Sequence, residues 1–206
     1  MYKHPLNSFV MKTFHVICIF AFFHTASLAQ SEKTVFKTFE ETAIGWHITY
    51  PDNLSILTNE EIAVIEGRGL EAIGEDVPFI HKNLIWLKKD QFNSFTSNTQ
   101  PYDPELDGPY EENQKLLQEM ILETYRNNGV EFDSETGTYE IDGLTFQTMK
   151  TKIYTPDRGK VILTQVMFER LFAGNRTLTL NINYNNPLDQ KLLMSIIDSS
   201  KLSIRN

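Results

Sequence analysis

Cysteine is nearly missing from this chain: Cys18 stands alone among 206 residues. A lone thiol closes no intrachain disulfide, and it rules out thiolate metal clusters and Cys-x-x-Cys redox pairs. Cys18 also sits inside an apolar run near the N-terminus, so the chain after Ala29 has no thiol nucleophile either. Histidine is scarce too, and only His47 and His81 follow Ala29. A zinc site would need both histidines together with carboxylates, and neither lies in a short ligand motif. Gly-x-Ser-x-Gly does not occur, which removes the hydrolase nucleophile elbow. A Ser-His arrangement assembled in space stays open, because triads are defined by geometry and not by order in the chain. Repeats, low-complexity tracts and linker-like stretches are absent, and no apolar run reaches the ~20 residues of a transmembrane helix.

The longest apolar run, Val16 to Phe23, has Lys12 before it and Ser27-Leu28-Ala29 after it. Positive charge, short apolar core and small-x-small site together describe a secretory signal over residues 1–29, cleaved before Gln30. Met11 to Ala29 is a compact signal by itself, so Met11 is an alternative start. Cys18 lies within the apolar core and not at its end, which argues against a lipoprotein. The expected location is therefore the periplasm or the medium. Such compartments permit disulfides, yet residues 30–206 have none to form. Burial must supply their stability, and about 177 residues suffice for one sizeable core.

Charge narrows the partners. Removing Lys3 and Lys12 from 19 cations leaves 17 against 27 acids, a net of −10 with histidine neutral. An acidic surface disfavours nucleic acid and anionic lipid.

The clearest pattern is Lys160 to Ile204, which reads strand, turn, strand, helix. Leu178, Leu180, Ile182 and Tyr184 alternate with Thr177, Thr179, Asn181 and Asn183. A period of two predicts a strand with one face in a core and the other in water. Val161 to Phe172 is apolar on both faces, as in a strand covered on both sides. Ala173-Gly174-Asn175-Arg176 supplies the turn. Asn186-Pro187 opens a helix with Asp189 at its positive end and Leu188, Leu192, Leu193, Ile196 and Ile197 as its stripe.

Earlier elements follow by the same rules. Val35 to Phe39 is a strand, as is the alternation Ile44, Trp46, Ile48, Tyr50 ended by Pro51, and Leu54 to Ile56 is a short one. Thr58 and Glu61 form a capping box for a helix to about Glu75, closed by Pro78. Its Ile62, Ile65, Gly69 and Ile73 share a face. Leu84 to Leu87 is a buried strand, and Phe92 to Ser97 pairs with it. Asn98 to Pro109 is a loop. Tyr110 to Asn128 is a helix with Leu117, Met120, Ile121, Thr124 and Tyr125 inward, stopped by Gly129. An acidic turn, Glu131 to Gly137, leads to a strand with Tyr139 and Ile141. Asp142-Gly143 turns into the strand Leu144 to Tyr154, and Thr155 to Gly159 is a hairpin turn. The expected class is a single α+β domain over 30–206, an antiparallel sheet with three helices packed on it.

Three patterns invite chemistry. Gly67-Arg68-Gly69-Leu70-Glu71-Ala72 matches a loose nucleotide-binding fingerprint, but the capping box makes it helical and no strand–turn–helix context surrounds it. Glu131, Asp133, Glu135, Glu140 and Asp142 offer hard oxygens for calcium, with Asp103, Glu105 and Asp107 as a second cluster. EF-hand spacing fails, since Thr138 takes the glycine position and Leu144 that of the bidentate glutamate. Trp46, Trp86, Phe168, Phe172 and Tyr184 could line an apolar pocket or simply fill the core.

Gly45-Trp46-His47-Ile48-Thr49-Tyr50-Pro51 ahead of a helix, Ile141 to Phe146 opening a long strand, and the hairpin Lys160 to Tyr184 with its closing helix resemble the Mog1/PsbP-like superfamily in small secreted bacterial versions. The ending Ser27-Leu28-Ala29-Gln30 resembles signals common in Bacteroidota. The resemblance implies an α/β/α sandwich around an antiparallel sheet and members that mostly bind other proteins. It transfers no functional residue. We therefore expect an exported, non-enzymatic binding or accessory protein of the cell envelope, with another protein as partner and no cofactor. An exposed sheet face or the Asn98–Pro109 loop is the expected contact. Two alternatives remain: a hydrolase using carboxylates such as Asp133, Glu135, Glu140 or Asp142, with or without calcium, and an envelope immunity-type protein.

Overall fold

A computed structural model describes residues 34–73, 81–173 and 175–203. The signal expected over residues 1–29, the Gly74–Pro78 stop and Gly174 lie outside them. Ten strands run in order: β1 (Phe36–Glu41), β2 (Trp46–Pro51), β3 (Ser55–Ile56), β4 (Lys82–Lys88), β5 (Ser94–Pro101), β6 (Phe132–Ile141), β7 (Leu144–Tyr154), β8 (Val161–Phe172), β9 (Arg176–Tyr184) and β10 (Lys201–Leu202). Among the described residues the helices are α1 (Asn59–Ile73), a single turn α2 (Pro104–Asp107), α3 (Tyr110–Asn127) and α4 (Pro187–Asp198).

Seven strands form an antiparallel sheet in the order β3-β4-β5-β9-β8-β7-β6, and β1-β2-β10 form a small second sheet. The fold is α+β, as expected, although the sequence reading contained only one sheet. The hairpin β8–β9 lies centrally, with Phe168 opposite Leu180 and Val166 opposite Ile182. On that face Phe95, Phe146, Leu178, Leu180 and Ile182 join Trp46 and Ile48 of β2 and Leu193, Ile196 and Ile197 of α4 in the main core. Trp46 Nε1 donates to Ser200 Oγ at 3.2 Å, so the indole is satisfied where it is buried.

Local signals act as their chemistry requires. Thr58 and Glu61 exchange capping bonds at 2.8 and 3.3 Å. Asn186 Oδ1 accepts from the Asp189 backbone N–H at 3.0 Å, with Pro187 at the first turn. Asp142 and Gly143 take φ of 50° and 76°, the mirror turn that suits a two-residue hairpin. Leu188, expected in the stripe of α4, is 81% exposed. Of that stripe Leu193, Ile196 and Ile197 are buried, and in the first turn it is Asp189 that is buried instead.

Two loops are not loops. Asn98 to Pro101 continue β5, paired along β9 as far as Pro101 opposite Arg176, and Pro104–Asp107 make α2, capped by Asp103. Phe132 to Gly137 belong to the edge strand β6, paired residue by residue with β7. Acidic side chains there signalled a turn, but they stand on an edge that only one neighbour pairs.

The polar face of β9 is the main correction. Thr177 and Thr179 are buried and Asn181 and Asn183 half-buried, because α1 and α3 cover this face. β8, β9 and their neighbours therefore have helices on one side and the apolar core with α4 on the other.

Candidate functional site

Beneath α1 and α3 the sheet carries uncharged polar side chains in rungs. Trp86, Thr96, Asn181, Met167 and Met149 are successive cross-strand neighbours on β4, β5, β9, β8 and β7. Ser94, Asn183, Gln165 and Thr151 form the next rung. Period-two geometry puts both rungs on one face, because residues two apart along a strand point the same way.

The helices do not close down on these rungs. Ile65 and Arg68 of α1 and Ile121 and Tyr125 of α3 overhang them, leaving a cavity of about 510 Å³. Asn183 Nδ2 donates to Ser94 Oγ at 3.1 Å and Asn181 Nδ2 to Thr96 Oγ1 at 3.4 Å. The Tyr125 hydroxyl donates to Gln165 Oε1, and burial pushes that phenol up. Trp86 Nε1 is buried in the cavity wall without a hydrogen-bond partner. A buried indole N–H left unpaired is costly. Arg68, Lys88 and Asp90 are the charged residues of the lining.

Next along the same face, α3 is tied down by a polar knot. Glu169 is 4% exposed and accepts from Tyr110 Oη at 3.1 Å, Gln114 Nε2 at 3.3 Å and Thr179 Oγ1 at 3.3 Å. Burial raises the Glu169 carboxyl above its ordinary range, partly offset by those three donors. Tyr110 is pushed up in turn by burial and by Glu169. Gln114 is the buried residue of α3, while Met120, expected inward, is 40% exposed.

The acidic residues singled out from sequence disperse into surface pairs. Asp133 and Glu131 bond Arg158 at 2.6 and 3.0 Å, and Glu135 bonds Lys150 at 2.9 Å. Asp142 accepts from Lys201 Nζ and from the Leu202 backbone. Hydrogen bonds from Tyr154 and Arg158 lower the Asp133 carboxyl, and Lys150 lowers Glu135. A general acid at neutral pH needs the opposite shift. Asp103 and Asp107 serve α2 as cap and as acceptor for the Asp103 N–H. Gly67 and Gly69 lie within α1 and form no phosphate loop. His47 is exposed on β2, and His81 bonds Glu66 at 2.7 Å. Of the five aromatics, Trp46 and Phe172 are core, Phe168 and Tyr184 border a second cavity of about 350 Å³ on the core face, and Trp86 lines the first.

Asn181 and Asn183 were missed because alternation alone assigned that face of β9 to water. A signal was present: Thr177, Thr179, Asn181 and Asn183 carry no charge, whereas a solvated strand face is usually charged.

A seven-stranded antiparallel sheet with helices on one face and an apolar core under α4 on the other is a PsbP-like α+β fold. The solution structure of cyanobacterial PsbP (CyanoP) from Synechocystis sp. PCC 6803 superposes with a TM-score of 0.54 at 7% identity, over 86% of this chain and 98% of that one. At that identity the likeness is one of fold. No protein family and no curated protein matches the sequence.

Proposed function

We propose that this is an exported binding protein of the cell envelope, which captures its ligand in the cleft between the sheet and helices α1 and α3. One observation carries the reading: a cavity of about 510 Å³ is lined by amides and hydroxyls beside the Trp86 ring. Its volume is that of ordinary ligand sites, ~300–1,000 Å³. The lining offers recognition groups, and of the carboxylates considered for hydrolysis Asp133 and Glu135 lie elsewhere, paired with cations and lowered. Export is supported by the charge, apolar core and Ser27-x-Ala29 pattern of residues 1–29.

A diazirine amino acid placed at Thr96, inside the cleft, tests the reading when the protein is produced in its native envelope. The control is the same group at Lys191, exposed on α4. A light-dependent adduct specific to position 96 is expected. Equal labelling at both positions, or none at 96, overturns the cleft as the capture site.

A further inference from the structure

We infer that the cleft recognises a neutral, hydroxyl-rich ligand, a sugar ring of a glycan; this rests on the binding function proposed above. The floor decides the chemistry. Asn181, Asn183 and Gln165 bring carboxamides, and Ser94, Thr96 and Thr151 bring hydroxyls, all on two adjacent rungs. Each of these groups both donates and accepts, as do sugar hydroxyls. Bonds within the protein engage one N–H of Asn181 and one of Asn183, leaving each a second N–H and a carboxamide oxygen. Gln165 uses its oxygen for Tyr125 and keeps its two N–H groups.

Trp86 supplies the complement. Its ring, with Met167 and Met149 on the same rung, presents apolar, polarisable surface to the C–H face of a sugar.

Other ligand classes fit less well. A purely apolar molecule would strand the amides without water, and a strongly charged one would lose hydration over the amides and hydroxyls, since Lys88, opposite Ser94 on the second rung, stands exposed at the end of that rung. An extended peptide offers its polar groups along one line. Here the polar groups spread over β5, β9, β8 and β7, at roughly 4.8 Å from strand to strand. That two-dimensional array matches a ring with hydroxyls on several sides.

Isothermal titration of the exported protein with malto-, cello-, manno-, xylo- and chitotriose tests the class. Polysaccharide purified from the producing cell's envelope is titrated in parallel, which separates a free sugar from an envelope glycan as the source. Trp86→Ala removes the apolar ring; Asn181→Ala removes one amide; Leu188→Ala, exposed on α4, is the control. Melting curves verify that each variant is folded, and Thr96→Val replaces any that is not. Saturable binding of a neutral glycan is expected, about tenfold weaker in Trp86→Ala and in Asn181→Ala, a loss equivalent to ~1.4 kcal/mol, and unchanged in Leu188→Ala. No binding by any neutral glycan, or binding indifferent to Trp86 and Asn181, overturns the inference. Trp86-dependent binding of a peptide library or of galacturonic acid oligomers alone would overturn the sugar class while leaving the cleft as the capture site. Crosslinking from Thr96 equal to that from Lys191 would instead remove the cleft itself.

Discussion

Glu169 is the residue where the cost of a covered polar face concentrates. Its carboxyl is nearly inaccessible, and burial holds its pKa above the ordinary value despite three donors. A raised folded value means that the native state holds this proton more tightly than the unfolded chain. The stabilising contribution is then complete below the unfolded glutamate value of about 4.3 and is lost as pH rises through the folded value. Glu169→Gln has nothing to titrate there. It should therefore gain on the wild type as pH increases from about 4 to 7, by ~1.4 kcal/mol for each unit of elevation. Urea melts at intervals across that range measure the difference, and a pH-independent difference would show that Glu169 is not the titrating group. Trp86 is the opposite case at this scale: its indole lacks only a neutral acceptor, which no proton can supply.

At the level of elements, β9 explains both halves of the molecule. Leu178, Leu180 and Ile182 reach the core toward α4 and β2, while Thr177, Thr179, Asn181 and Asn183 lie under α1 and α3. Alternation placed the core face correctly and the other face in water, because a period of two says that two faces differ and not what covers each. The burial of Thr179 changes an expectation about mutation. On a solvated face Thr179→Asp would be mild. Here Thr179 Oγ1 donates to Glu169 at 3.3 Å, so an aspartate would place a second carboxylate against a buried one. Leu180→Asp and Thr179→Asp should each cost several kcal/mol, comparable to a total stability of ~5–15 kcal/mol. Denaturant melts of the pair decide the matter, and a Thr179→Asp protein near wild-type stability would mean that α3 does not seal this face. Helix α3 follows the same logic: its hydrophobic pattern located it, but Gln114, Tyr110 and Tyr125 make the contacts that hold it over the sheet.

For the molecule as a whole, the described residues gather into one compact unit, and among them no helix is long and apolar enough to cross a membrane. If export follows the pattern in residues 1–29, the mature chain begins at Gln30 and contains no cysteine. N-terminal sequencing of the exported form should read Gln30, and its melting temperature should be the same with and without reductant. Recovery of an intact Met1 or Met11 form from membranes would contradict that reading.

Much of this protein was determined by the sequence alone: the lack of thiol chemistry, the acidic balance, the capping box of α1, the Asn186-Pro187 start of α4, and the limits of β7 and β8. These depend on neighbours a few residues apart, where propensity, capping and alternation act directly. The resemblance in order of elements likewise foretold the PsbP-like fold. Only the tertiary structure decided that Asn181, Asn183 and Gln165 share a floor with Trp86, that Glu169 is buried under Tyr110 and Gln114, and that Asp133 and Glu135 of β6 face cations and not one another. Those pairings join strands tens of residues apart, so they follow from sheet order and from which helix lies over which face. Local periodicity constrains neither, and the candidate site is built entirely from such long-range neighbours.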